Sequence, residues 1–479
     1  MKFAFIHPRP DLETPDPDKR KAPASWPPLG ILYMASFLRE RGVDVSVLDQ
    51  AASTISFSET VGWVKRQDPD ILGISTLNNS GLTAARISRE VKSINADVVV
   101  VWGNVLASFN AERILRDHPF VDIAVRGEGE LTSLEIARCM ERGDDLESVR
   151  GITFQRNRHV ISTEDRPLLK NVDSLPLPAR DLLDAEYHSA IFGVQVAPKR
   201  FTTMVSSRGC PYRCRFCGGS RLFHNVWRPR SVDSIMDELT LIVDEGYRQL
   251  LFVDDNFTLS QERVEDLCRR MRRERLDLEW FCDSRVDRCS SQMLKEMARS
   301  GCKMLYLGIE SANQRILDYY NKRITPYQSE NAVQTARDAG IDVIVGSFIV
   351  GAPDETRAEI LDTLRFAHNL DIDIAQFNIL RVFPGTEIWD ELREKSLIDE
   401  DRYWETGIYV PDICFTAQNA EEMKRLISNV FRDFYLRPRF ILRQGVRTLT
   451  SCYRLHVVAS NLRSVGAVRE GFSQAAVAY

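Results

Sequence analysis

The 479-residue chain is predicted to fold as two successive α/β domains followed by a helical region. Three observations predict this. Apolar strands alternate with helices through the first 130 residues, a second strand–helix series begins at Phe201, and beyond residue 400 the pattern turns helical and Arg-rich. Alternation of apolar strands with helices implies parallel sheets covered by helices. The expected domains are 1–145, a connector over 146–195, a partial barrel over 196–400 and a helical region over 401–479.

The elements follow in order. Phe3–His7 is a short apolar strand. Gly30–Arg41 is helical, with Ile31, Met34, Ala35 and Leu38 at helical spacing and Gly42 where a C-cap belongs. Val43–Leu48, Ile71–Leu77, Asp97–Trp102 and Ile123–Val125 are the next strands, with a helix at Leu82–Ile94. In such sheets, ligands sit outside the carboxyl ends of the strands. The segments expected there are polar or Gly-containing: His7-Pro8-Arg9-Pro10, Asn78-Asn79-Ser80-Gly81, Gly103-Asn104 and Gly127-Glu128-Gly129-Glu130. In the connector, Gly151–Gln155 and His159–Ser162 suit a hairpin, and Leu175-Pro176-Leu177-Pro178 is unsuited to helix. The second series places strands at Thr202–Ser206, Gln249–Val253, Trp280–Ser284, Met304–Ile309, Asp342–Ile349 and Ile374–Leu380, with helices at Val232–Asp244 and Gln261–Arg273. Six such units make a partial (β/α)6 barrel, whose active site belongs at the strand carboxyl ends.

Bulk composition narrows the function class. Hydrophobic content of 44% and charged content of 27% are those of a globular protein. A net charge of −5 gives no global argument for nucleic acid. No apolar run reaches the ~20 residues of a membrane span, and the N-terminus reads as a strand rather than a signal peptide. The expected location is cytoplasmic. Ten cysteines in such a chain favour thiol or metal chemistry over disulfides.

Three of those cysteines crowd into the run Cys210-Pro211-Tyr212-Arg213-Cys214-Arg215-Phe216-Cys217, just after the first barrel strand. Three thiolates can hold three irons of a cubane cluster and leave the fourth open to substrate. Gly218 and Gly219 allow close backbone approach, and Phe216 offers an aromatic neighbour. Asp254-Asp255-Asn256, Ser284-Arg285 and Glu310-Ser311 end the next three strands, where carboxylates suit an amino group and Arg suits a carboxylate. A structural zinc site is the alternative, with His224 as the nearby fourth ligand. The other seven cysteines are read as packing residues.

Residues 201–390 resemble the radical S-adenosylmethionine (SAM) superfamily in the cysteine motif and the later strand ends. The resemblance implies that Cys210, Cys214 and Cys217 bind a 4Fe–4S cluster and that SAM chelates its open iron. Reductive cleavage of SAM would then give a 5′-deoxyadenosyl radical. It further implies that Phe216 and Gly218 adjoin SAM, that Asp255 lies near its amino group, and that Arg285 and Glu310 lie near its carboxylate or ribose. Residues 1–150 resemble the cobalamin-binding domain found before many radical SAM domains. The matching residues are Pro27-Pro28-Leu29-Gly30-Ile31-Leu32-Tyr33-Met34-Ala35, Gly42, Asp49 and Gly73-Ile74-Ser75-Thr76-Leu77, with Gly103 and Gly127-Glu128-Gly129-Glu130. Ser75, Leu77, Gly103 and Gly127 are the implied cobalamin contacts. Two departures stand out. No His sits in an Asp-x-His-x-x-Gly element, and Trp102 stands where the subgroup often has Gly. The tRNA methylthiotransferases need three further N-terminal cysteines, whereas residues 1–150 hold only Cys139.

The expected activity is methylation at an unactivated carbon, with cyclisation as the alternative, since the layout resembles both hopanoid methylases and the anaerobic Mg-protoporphyrin monomethyl ester cyclase. A non-catalytic cobalamin or cluster redox sensor is the alternative from another class. An enzyme of this kind needs an external electron donor such as flavodoxin or ferredoxin. Residues 431–479 carry eight Arg and no Lys against Asp433 and Glu470. Arg437, Arg439, Arg443 and Arg447 lie among Phe440, Ile441, Leu442 and Val446. They form either a solvated capping helix or a basic amphipathic face at a membrane, which suits a lipid-like substrate.

Overall fold

A computed structural model describes residues 1–10, 26–53, 55–157, 159–191, 194–405 and 420–461. The chain forms two compact units. The first comprises Met1–Glu186, Gly218–Arg228 and Phe383–Pro411; the second comprises Tyr187–Cys217, Pro229–Val382 and Asp412–Tyr479.

In the first unit the chain runs β1 (Lys2–His7), α1 (Leu29–Arg39), β2 (Asp44–Asp49), α2 (Gln50–Ser53), α3 (Phe57–Gln67), β3 (Ile71–Ser75), α4 (Gly81–Ile94), β4 (Val99–Gly103), α5 (Val105–Asp117), β5 (Ile123–Val125) and α6 (Glu130–Arg142). The hairpin β6 (Ile152–Arg156) and β7 (His159–Ser162) then joins the same sheet. Strand order is β2-β1-β3-β4-β5-β6-β7, parallel through β5 and antiparallel thereafter. The reversal of order between β1 and β3 opens a crevice at their carboxyl ends, the usual ligand position in a doubly wound sheet. Close packing of β1 on β3 explains Gly73: a Cβ there would lie 2.7 Å from the Phe5 ring.

The second unit begins with the short strands β8 (Ala190–Ile191) and β9 (Val194–Gln195), then β10 (Phe201–Met204) and β11 (Ser207–Arg208). After α7 (Gly218–Leu222), which belongs to the first unit, come β12 (Arg228–Pro229) and α8 (Val232–Asp244). The barrel continues through β13 (Gln249–Phe252), α9 (Gln261–Arg273), β14 (Glu279–Arg285), α10 (Ser291–Arg299), β15 (Cys302–Glu310), α11 (Gln314–Tyr319), α12 (Pro326–Asp338), β16 (Val343–Val350), α13 (Arg357–Asn369) and β17 (Ile374–Ile379). The six strands β10-β13-β14-β15-β16-β17 pair in that order, all parallel. This is the partial barrel expected from the sequence. Alternate strand residues such as Leu250, Cys282, Leu305, Leu307, Ile344 and Phe348 pack outward with helix residues Leu239, Leu267, Met297 and Leu364.

In the first unit the chain also forms α14 (Glu387–Glu394) and α15 (Glu400–Glu405); α16 (Ala420–Tyr435), α17 (Pro438–Leu449) and α18 (Cys452–Asn461) close the second. Among the described residues, no helix is long and apolar enough to cross a membrane.

The C-terminal arginines correct the expectation of a solvated Arg face. Arg443 forms an ion pair with Asp371 at 2.6 Å, Arg447 donates to Asp371 at 2.7 Å, and Arg447 and Arg454 reach Asp373 at 3.2 and 2.8 Å. Asp373 is 4% exposed and also accepts from Arg337 at 2.6 Å and from the Ile344 amide at 2.8 Å. Burial alone would raise its pKa, but Arg337 and Arg454 outweigh that and hold it down at about 2.

Breaking a buried charge network leaves its remaining charges uncompensated. Asp373→Asn is therefore expected to cost about 3–5 kcal/mol in denaturant unfolding at neutral pH. Asp373 has a depressed folded pKa, so its contribution is complete above the ordinary carboxylate range and is lost as pH falls through about 2. The difference between wild type and variant should shrink over that acid window.

Candidate active site

The cysteine loop leaves β11 through Gly209, whose φ of +80° lies in the left-handed region. The Cys217 amide donates to the Cys214 carbonyl at 3.0 Å. Backbone and side-chain bonds fasten the loop to the segment after α11: the Arg215 amide donates to the Tyr320 carbonyl at 3.0 Å, and Asn321 Nδ2 to the Arg213 carbonyl at 2.8 Å. Phe216 meets the buried Tyr320 edge-on, with ring centroids 5.2 Å apart.

Arg285, at the end of β14, is the other anchor. It is 5% exposed, and its Nη2 donates to the Lys322 carbonyl at 2.6 Å while Nε donates to Asp287 at 2.9 Å. Its guanidinium stacks on the Tyr212 ring at 3.7 Å and directs Nη1 toward Cys214 Sγ at 3.8 Å. Glu310 ends β15 with φ of +65°, where the register with β16 shifts. A non-glycine residue held in that region carries a local backbone cost. Its carboxylate is buried and paired with Lys322 Nζ at 2.6 Å. Gly308 leaves room for this pair, since a Cβ there would lie 2.7 Å from Glu310 Oε1 and 2.8 Å from Lys322 Nζ.

At the end of β13 two neighbouring carboxylates diverge. Asp254 is buried and accepts from the Ser206 amide and hydroxyl, both at 2.7 Å. Asp255 is open to solvent, yet ringed closely enough by protein that desolvation and Asp254 raise its pKa. The loop thus brings Cys210, Cys214, Cys217, Phe216, Asp255, Arg285 and Glu310 to the carboxyl ends of one parallel sheet. Gly218 instead opens α7 in the first unit, where it packs near Phe109 and the Gly385 carbonyl.

Sequence reasoning missed Lys322, Tyr212 and Asp283. Lys322 follows a short helix and carries no motif; its role comes from its contacts with Glu310 and, through its carbonyl, Arg285. Asp283 lies mid-strand in β14, two residues before Arg285 and in register with Tyr306 of β15. Its alternation with the outward-packed Trp280 and Cys282 turns it into the barrel lumen. It is solvent-exposed there, while the surrounding protein desolvates it and, with Asp254 and Asp255, pushes its pKa up to about 7.

The donor set fits an iron–sulfur cluster. Burial pushes the Cys210 thiol up to about 11, and the neighbouring Cys214 and Cys217 add to the rise. Burial also raises Cys214, while Lys322 and Arg285 draw it back. Positive charge beside the thiols suits an anionic, thiolate-bound cluster.

In the first unit, Ser75 and Gly103 are register partners at the ends of β3 and β4. Asn104, with φ of +81°, donates from Nδ2 to Ser75 Oγ at 2.9 Å. Above Gly103 there is open room: a Cβ would meet nothing nearer than Val125 Cβ at 4.0 Å. The Gly127 amide donates to Ser108 Oγ at 3.1 Å, and Leu77 is half-buried in the turn before α4. Trp102 does not block this edge; its indole is fully buried and donates to Ser88 Oγ of α4 at 2.9 Å. Small and polar strand ends of this kind fit a corrin with its nucleotide tail.

Comparison with known proteins gives the same division. Residues 204–367 match the radical SAM superfamily, and residues 17–137 match the B12 binding domain. An uncharacterized methyltransferase of Pyrococcus horikoshii is 37% identical over 91% of this chain and 96% of its own length. The chain belongs to the cobalamin-dependent radical SAM enzymes. Another member of this enzyme family, the anaerobic magnesium-protoporphyrin IX monomethyl ester cyclase of Rubrivivax gelatinosus, is 27% identical over 92% of this chain and 78% of its own. The fold of the radical SAM methyltransferase TsrM from Kitasatospora setae, solved with cobalamin and a [4Fe-4S] cluster, superposes with a TM-score of 0.68 at 19% identity, covering 82% of this chain and 75% of TsrM.

The lumen carboxylate of this radical SAM enzyme has a measurable signature. A carboxyl with a raised folded pKa contributes stability below its unfolded pKa and loses it as pH rises through the folded value. For Asp283 that window runs from the ordinary carboxylate range up to about 7. Asp283→Asn should therefore raise the Tm relative to wild type more at pH 8 than at pH 5, read by calorimetry at both pH values.

Proposed function

We propose that the enzyme transfers a methyl group to an unactivated carbon of a hydrophobic or lipid-like small molecule, with electrons from a donor such as flavodoxin or ferredoxin. The observation that carries this reading is the cysteine loop held by Arg285 at the carboxyl ends of the barrel strands, in a chain that also has a B12-binding domain. When bound, the cluster and SAM supply hydrogen-atom abstraction, and cobalamin supplies the methyl group.

The chain's own residues bind, orient and exclude water. Cys210, Cys214 and Cys217 hold the cluster. Asp255 offers its open carboxylate to the SAM amino group. Arg285 and Lys322 place positive charge where the SAM carboxylate arrives, and Glu310 presents a fixed acceptor near the ribose. Phe216, braced by Tyr320, forms an apolar wall. Gly218 leaves the backbone after Cys217 without a side chain. Ser75, Leu77, Gly103 and Gly127 line the corrin crevice.

The hydrophobic substrate class draws support from the apolar residues exposed on α17 and from the porphyrin ester in the name of the cyclase relative. That relative also favours ring formation as a second reading. The two part on one measurement: with methyl-deuterated SAM, a methyltransferase product carries the label and a cyclised product does not.

The cluster reading is tested by anaerobic reconstitution with iron, sulfide, SAM and dithionite. Wild type should release 5′-deoxyadenosine, and Cys214→Ala should reduce that release to background. Product formed equally by the variant would contradict the assignment.

A further inference from the structure

The C-terminal helices divide their faces in an unusual way. On α17 Arg443 and Arg447 turn inward, Arg443 onto Asp371 and Arg447 onto Asp371 and Asp373, and Phe440 is buried between Phe434 and Tyr435 at ring distances of 5.0 and 5.6 Å. The large aliphatic residues turn outward: Ile441 is 55% exposed, Leu442 72%, Val446 55% and Leu449 77%. Leu442, Val446 and Leu449 recur at helical spacing and form one stripe. Leu436 before the helix and Leu455 and Val458 on α18 are exposed as well.

A solvated capping helix would show the reverse arrangement. Contiguous exposed apolar surface marks an interaction site rather than ordinary exposure. Neither α17 nor α18 contains Asp or Glu; of their arginines, Arg443, Arg447 and Arg454 are paired with Asp371 and Asp373, and Arg439 is left as the cation on the outer side. Arg439 is exposed at the start of α17, beside Ile441 and Leu442.

We propose that the outer face of α17 docks onto an anionic lipid bilayer, with Ile441, Leu442, Val446 and Leu449 entering the interface and Arg439 meeting the headgroups. The inner arginines have another task. Their bonds to Asp371 and Asp373 fix the helix to the barrel end, so the apolar stripe is presented rigidly. Burial of aliphatic side chains with cationic attraction to headgroups is the usual basis of interfacial helix binding. The proposal deepens the lipid-like substrate reading and rests on it, since it brings the enzyme to the surface in which such a substrate resides.

The test is flotation of the full-length holoenzyme with three samples: phosphatidylcholine–phosphatidylglycerol vesicles, pure phosphatidylcholine vesicles and no lipid. Wild type should float with the anionic vesicles and less with the neutral ones. Leu442→Ser with Leu449→Ser should weaken flotation about tenfold or more, while Arg439→Glu should weaken it on anionic vesicles only. Both positions are exposed, so circular dichroism and Tm should stay at wild-type values. Equal flotation of wild type and the double variant overturns the proposal, as does absence of wild-type flotation.

Two further results identify another occupant and equally overturn it. A concentration-dependent dimer abolished by the double variant assigns the face to a second copy. Vesicle binding that appears only after removal of residues 462–479 assigns it to that segment. Release of 5′-deoxyadenosine, measured alongside, separates this proposal from the catalytic reading. Failed flotation with normal release removes docking alone, whereas absent release with normal flotation removes the catalytic reading and leaves docking in place.

Discussion

Arg285 is the residue on which the cysteine loop depends. One buried guanidinium stacks on Tyr212, donates to Asp287 and the Lys322 carbonyl, and faces Cys214 Sγ. A buried cation is costly unless every donor is used, and here the uses are the links that tie loop, strand end and the segment after α11 together. The same arrangement gives the thiols a positive neighbour. Lys322 extends it, since its carbonyl serves Arg285 while its ammonium serves Glu310. Loop geometry, thiol electrostatics and the strained Glu310 backbone therefore belong to one connected set of bonds.

The strand ends differ in what they leave open. Asp254 is consumed by Ser206 and Ser207, so it holds the exit of β10 and has little left for a ligand. Asp255 beside it is open, and Asp283 stands deeper along the lumen wall. A barrel whose interior keeps an exposed carboxylate is not filled by its own side chains, unlike a fully packed barrel core. Its apolar lower end includes Phe281 against Tyr453 of α18, with ring centroids 6.0 Å apart. The lumen is thus apolar at its base and charged toward the strand carboxyl ends.

Much of this was legible in the sequence for physical reasons. Six apolar strands alternating with helices announce a parallel barrel, and cysteines placed just after a strand announce a site at its carboxyl end. Asp255, Arg285 and Glu310 were found because each immediately follows or ends a strand. Lys322 and Tyr212 were not, because their importance lies in contacts with residues far away in sequence. Trp102 shows a related limit: strand position tells where it stands, but not that its indole donates to Ser88 of α4. The C-terminal arginines show the limit most clearly. Amphipathic spacing reveals two faces, yet which one turns inward depends on Asp371 and Asp373, some seventy residues earlier.

The central claim is that the three cysteines hold a cluster whose remaining iron binds SAM. The most direct measurement is electron–nuclear double resonance on the reduced, reconstituted enzyme with SAM labelled by nitrogen-15 at the amino group and oxygen-17 at the carboxylate. Direct coordination predicts hyperfine coupling from both labels and a shifted cluster signal on SAM addition. A cluster signal unchanged by SAM, with no coupling from either label, would contradict the account.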